Sequence, residues 1–143
     1  MTTKLNFVLI VDDNETDNFL HTKVIEKAGI TDLIGIALNG QEALDFLINL
    51  KNRGTRDRSF LYHALIFLDI NMPLMDGWEF LEEYTKLDKD QKVGAVIIML
   101  SSSQNNSDLE KAEEALGSGC FLYKPLTSEK LNEIMQKHFP EYL

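Results

Sequence analysis

The sequence predicts an α/β fold, a doubly wound parallel sheet of five strands with helices on both faces. Three observations lead there. Five short apolar runs punctuate the chain, roughly at 5–11, 33–38, 64–68, 95–100 and 120–123. Runs of this length, bounded by turn signals, suit strands buried on both faces. Helix-length amphipathic stretches separate them, and regular strand–helix alternation implies parallel pairing with right-handed crossovers.

Each element has its own signal. The first run enters "VLIVDDNE", in which Val8 to Val11 are followed by Asp12 and Asp13. A helix over 15–28 then stops at Gly29, a residue suited to the left-handed position after a helix. The helix after the second run opens with Asn39-Gly40-Gln41-Glu42, an N-cap residue with Glu three positions on. The third run ends at Asp69 in "LIFLDINMPLMDG", and Asp76 to Glu79 repeats the capping spacing. The fourth run ends at Ser101, and Ser107 to Glu110 fits the capping box most strictly. The fifth ends at Lys124-Pro125, before a helix over 128–138 with Leu131, Ile134, Met135 and His138 on one face. Residues 50–63 are longer than the pattern needs and carry Lys51, Arg53, Arg56 and Arg58. Loops of that length tend to be functional or disordered.

Composition narrows the function. The 143 residues suit one domain over 1–143. A net charge of -9 argues against a nucleic-acid binder, which needs a basic footprint. Cys120 is the single cysteine, so no internal disulfide forms and a reducing compartment is expected. The N-terminus "MTTKLNF" has no apolar signal core. No apolar run reaches the roughly 18 residues of a membrane span. The expectation is a cytoplasmic domain without membrane contact.

In open parallel sheets, ligands bind beyond the carboxyl ends of the strands. Four of the five runs end there on reactive side chains: Asp12-Asp13, Asp69, Ser101 and Lys124. Any one of them is ordinarily a cap or a solvated turn residue; their coincidence at one rim is the signal. Three crowded carboxylates repel, and a divalent cation offsets that. Hard oxygen ligands suit Mg²⁺. A carboxylate, ionised at neutral pH, can attack phosphorus without a general base. Lys124 and Ser101 can then hold the oxygens of a transferred phosphoryl group.

These residues, with "MPLMDG" at 72–77 and "ALGSGCFLYKP" at 115–125, closely resemble the receiver domain of two-component response regulators. The resemblance spans almost the whole chain. It implies the flavodoxin-like receiver order 2-1-3-4-5 with five helices. It implies that Asp69 is the phosphoacceptor, supplied by a sensor histidine kinase or a phosphotransfer protein. Asp13, Asp69 and the backbone carbonyl of Asn71 would hold Mg²⁺, with Asp12 acting through water. Lys124 would contact the acyl phosphate next to a cis Lys124-Pro125 bond. Ser101 would move toward the phosphoryl group, and Phe121 would swing inward. Output would leave through the face of helix four, strand five and helix five, over parts of 105–116, Phe121 and 128–139, toward a downstream protein or a second copy in a homodimer. Asn71 and Ser103 would flank the path of attacking water.

Phe121 stands where many members have Tyr, Ser101 where Thr is frequent, and Ser102 where Ala or Gly is usual. The chain reaches Leu143 soon after its last helix, which fits a stand-alone receiver that catalyses only its own phosphorylation and dephosphorylation. Residues 50–63 loosely resemble receivers that partner phytochrome-type kinases. The alternative is a haloacid-dehalogenase-type phosphatase, which needs Asp-x-Asp where this chain has an adjacent pair. An electron-carrying flavodoxin would need a hydroxyl-rich phosphate loop after the first strand, and "DDNETD" would repel a phosphate.

Overall fold

The computed structural model describes residues 4–52, 62–86, 94–102 and 106–142. Five strands, β1 (Phe7–Val11), β2 (Ile34–Ala37), β3 (Tyr62–Asp69), β4 (Gly94–Ser101) and β5 (Phe121–Tyr123), form one sheet in the order β2-β1-β3-β4-β5. All four neighbouring pairs are parallel. The expected order 2-1-3-4-5 is observed. β1 begins two residues later than its apolar run, because Leu5 makes only an isolated bridge to Thr31.

The strands alternate with α1 (Glu15–Ala28), α2 (Gly40–Asn52), α3 (Gly77–Thr85), α4 (Asn106–Leu116) and α5 (Ser128–His138). A 3₁₀ turn at Pro140–Tyr142 follows. α1 stops at Gly29, whose φ of 64° is left-handed. α3 carries a complete capping box between Asp76 and Glu79. α2 has half of one. The Glu42 amide donates to Asn39 Oδ1, but the Glu42 carboxylate accepts from Leu38 N rather than Asn39 N. α4 departs further, since it already includes Asn106 and so takes Ser107 into its first turn. Three consecutive cap-forming residues, Asn105, Asn106 and Ser107, make that start degenerate in the sequence.

The pleat divides the core. Phe7, Leu9, Val11, Ile66, Leu68 and Met99 pack on the side of α2, α3 and α4, with Leu47, Phe80 and Ala112. Val8, Ile10, Leu65, Phe67, Ile98 and Leu100 pack on the side of α1 and α5, with Ile25, Leu131, Ile134 and Met135. Side chains in a strand alternate between faces, so parity alone assigns each strand residue to a layer. On α5 the expected stripe is buried at Leu131, Ile134 and Met135, while His138 is only half-buried. Of the basic stretch 50–63, positions 50–52 end α2 and 62–63 begin β3; the rest lies outside the described residues.

Candidate functional site

The strand ends meet at one rim. Asp12 continues the parity of Val8 and Ile10, toward α1 and α5, and is fully buried. Its Oδ2 accepts a hydrogen bond from Lys124 Nζ at 2.7 Å, and its Oδ1 accepts from the Asn14 amide at 2.9 Å. Asp13 is exposed. Asp69 follows the parity of Leu65 and Phe67 and is 6% exposed. Its Oδ1 lies 3.6 Å from Lys124 Nζ. Carboxylate oxygens of Asp12, Asp13 and Asp69 lie within 4.8 Å of one another. The expected juxtaposition of the acidic pair, Asp69 and Lys124 is thus present.

Electrostatics adjust one expectation. Burial, reinforced by repulsion from Asp12, pushes the Asp69 carboxyl up to about 7, against the attraction of Lys124 and a backbone hydrogen bond at Asn71. Read from sequence it is an ordinary ionised carboxylate; in the fold without a cation it is poised at the edge of ionisation. Burial also disfavours the Lys124 charge, but the bonds to Asp12 and Asp17 outweigh it and hold the ammonium pKa above its ordinary value. An all-oxygen donor set with surplus negative charge fits a hard divalent cation.

Ser101 ends β4, is 1% exposed, and accepts the Lys124 amide on its backbone carbonyl at 2.8 Å. By parity it faces the other way, with Met99, toward α4. Phe121 lies on that same side. It is already buried, edge-on to Tyr123 with ring centroids 5.0 Å apart. The Lys124-Pro125 bond is cis, as expected. Asn71 is exposed, two residues beyond the end of β3. Ser103, and Asn105 at the edge of the expected output face, lie outside the described residues.

The loop after β3 is held tightly. The Gly77 amide donates to Ile70 O at 2.9 Å, and a Cβ on Gly77 would stand 2.6 Å from the Asp69 carbonyl oxygen. Only glycine permits that approach, which fixes the start of α3 against the strand that presents Asp69.

Two neighbours of the site were not singled out from sequence. Asp17, in the first turn of α1, accepts a second Lys124 hydrogen bond at 2.9 Å. His21, one turn further on and 2% exposed, accepts the Leu126 amide on Nε2 at 3.3 Å. An acidic residue in a first helical turn ordinarily serves the helix dipole, so its sequence position gave no sign of a role at the rim. His21 reads as one more residue on a helix face.

Comparison with known proteins places this geometry. A family model described as the response regulator receiver domain matches residues 8–136. The rice two-component response regulator ORR41 (Oryza sativa subsp. japonica) is 31% identical, over 96% of this chain and 97% of that protein. A crystal structure of a two-component response regulator from Cytophaga hutchinsonii superposes with a TM-score of 0.78 at 30% identity, covering 94% of this chain and 97% of that one. A chain of the CheX-CheY-BeF3-Mg²⁺ complex from Borrelia burgdorferi superposes with a TM-score of 0.69 at 27% identity, covering 92% and 87%. Some relatives are longer: the chain spans 33% of a protein-glutamate methylesterase from Methanospirillum hungatei. Among the described residues no helix is long and apolar enough to cross a membrane.

Proposed function

Because the chain belongs to the response regulator receiver family, whose members are phosphoacceptor modules of two-component and phosphorelay signalling, we propose that Asp69 is its phosphoacceptor. The observation that carries this is the buried Asp69 carboxylate 3.6 Å from Lys124 Nζ, with the Asp12 and Asp13 carboxylates close by. One oxygen of Asp69 attacks the phosphorus of a phosphohistidine on a sensor kinase or phosphotransfer protein. The P–N bond breaks, the O–P bond forms, and the imidazole leaves with the electron pair of the broken bond. Lys124 offsets charge on the transferred oxygens, and Ser101 Oγ donates to one of them from the opposite parity.

Asp13, Asp69 and the Asn71 carbonyl would hold Mg²⁺, with Asp12 acting through water. The ion supplies charge neutralisation for the equatorial oxygens. The beryllofluoride and Mg²⁺ named in the Borrelia complex support the choice. Residues 1–143 act as a single receiver whose chemistry is confined to its own phosphoryl group. The signal leaves by protein contact through α4, β5 and α5, to a downstream protein or a second copy. A phosphoryl group shifts such an equilibrium only through contacts that differ between the two states, and Lys124 and Ser101 provide them.

Incubation with Mg²⁺ and acetyl phosphate should give a single alkali-labile phosphate adduct by intact mass, absent from Asp69→Asn. An undiminished adduct in that variant overturns the assignment. Amide-shift mapping with beryllofluoride should carry changes from Asp69 into α4 and α5. Shifts confined to the rim loops would move the output elsewhere.

A further inference from the structure

Lys124 is shared among three carboxylates. Its Nζ lies 2.7 Å from Asp12, 2.9 Å from Asp17 and 3.6 Å from Asp69. The two shorter contacts draw the ammonium toward α1 and away from the residue that would carry the phosphoryl group. The partners differ in kind. Asp12 is fully buried and also receives the Asn14 amide. Asp17 is 31% exposed in its side chain, and among the described residues its carboxylate pairs with Lys124. α1 grips the same turn again at His21, which accepts the Leu126 amide. Asp17 and His21 are four residues apart, and such pairs share a helix face.

We infer that Asp17 is a counter-ligand for Lys124, a carboxylate on α1 that competes with a phosphoryl group on Asp69 for the ammonium. It thereby sets how tightly the phosphorylated arrangement is held. Two physical effects act in the same direction. The Lys124–Asp17 bond must lengthen or share its charge when Lys124 turns to the phosphoryl oxygens. The Asp17 carboxylate also repels a group carrying close to two negative charges at neutral pH. Asp17 is therefore a restraint on Lys124, and His21 keeps the turn beneath it in place.

The inference rests on the Asp69 reading, and the experiment separates the two. Beryllofluoride with saturating Mg²⁺ is titrated into the native protein and into Asp17→Asn, Asp17→Glu and His21→Ala, followed by amide chemical shifts. Thermal melts confirm that each variant is folded, with Asp17→Ala in reserve for Asp17→Asn. Asp17→Asn should bind beryllofluoride about three- to tenfold more tightly, the scale of one partly exposed charged hydrogen bond. Asp17→Glu, which keeps the charge, should stay near native. His21→Ala, which loosens the turn and leaves the charge, should not tighten binding. The Lys124 ammonium proton signal without beryllofluoride should exchange with water faster in Asp17→Asn. Unchanged or weaker binding in Asp17→Asn overturns the inference, as does equal tightening in His21→Ala. Failure of the native protein to bind beryllofluoride overturns the Asp69 reading, and this one with it.

Discussion

On the Asp12 side of the rim, both carboxylate oxygens have protein donors, Lys124 Nζ and the Asn14 amide. On the Asp13–Asp69 side, two carboxylates stand near a third with an ammonium only at 3.6 Å. The first region is closed in that both carboxylate oxygens are already paired within the fold. The second is a crowd of carboxylates that Lys124 and a backbone hydrogen bond at Asn71 offset only in part, so that Asp69 is pushed up to about 7. Asp12 and Asp13 are chemically identical neighbours; the strand pleat sends one into the α1–α5 layer and leaves the other in solvent. Residue type says what a site can do, and strand parity decides which copy does it.

The largest test of this contrast breaks the closed side. Lys124→Met leaves the Asp12 carboxylate buried without its cation, which costs about 3 kcal/mol or more. The loss should appear as a lower urea midpoint. Asp12→Asn in the same chain should restore much of it, a coupling that a double-mutant cycle measures directly. Additive losses would mean that the pair does not stabilise the closed side.

The open side should show the reverse. A carboxyl at about 7 in the fold and near 3.8 when unfolded binds its proton more tightly in the native state. Its stabilisation is full below pH 3.8, falls as pH rises between the two values, and is gone above about 7. In metal-free buffer, Asp69→Asn should therefore be more stable than native at pH 8, by on the order of 2 kcal/mol. The gap should narrow as pH falls toward 5, roughly one unit above the unfolded value. A gap that widens on acidification would show that Asp69 is held ionised.

The smallest effect belongs to Asp13. Asp13→Ala removes repulsion at an exposed position, so metal-free stability should stay level or rise by up to about 0.5 kcal/mol. Mg²⁺ binding by titration calorimetry should weaken roughly tenfold. A marked loss of metal-free stability would move Asp13 to the structural side of the comparison.

Much of this was legible in the chain. The sheet order, the α1 and α5 boundaries and the convergence of Asp12, Asp13, Asp69, Ser101 and Lys124 follow from buried-strand runs, caps and the resemblance they carry. What escaped has physical reasons. The Ser107 start was misplaced because adjacent cap formers compete. The proton affinity of Asp69 depends on burial and on Asp12, which come together only in the fold. Asp17 lies 107 positions from Lys124, and no local pattern reports a contact at that separation.

The parity of the strand ends has one more consequence. Lys124 and Asp12 belong to the α1–α5 layer, whereas Ser101 and Phe121 belong to the layer of α2, α3 and α4. The sheet is a partition, and the Asp69 carboxylate sits at its rim, where both compartments open. In the proposed function, a charge placed there would meet the Lys124 ammonium on one side and the Ser101 hydroxyl on the other. The two sides lead into different core clusters, which share Leu116 among the side chains packed against them. Substitutions within one cluster should therefore alter the contact on its own side more than the contact on the other.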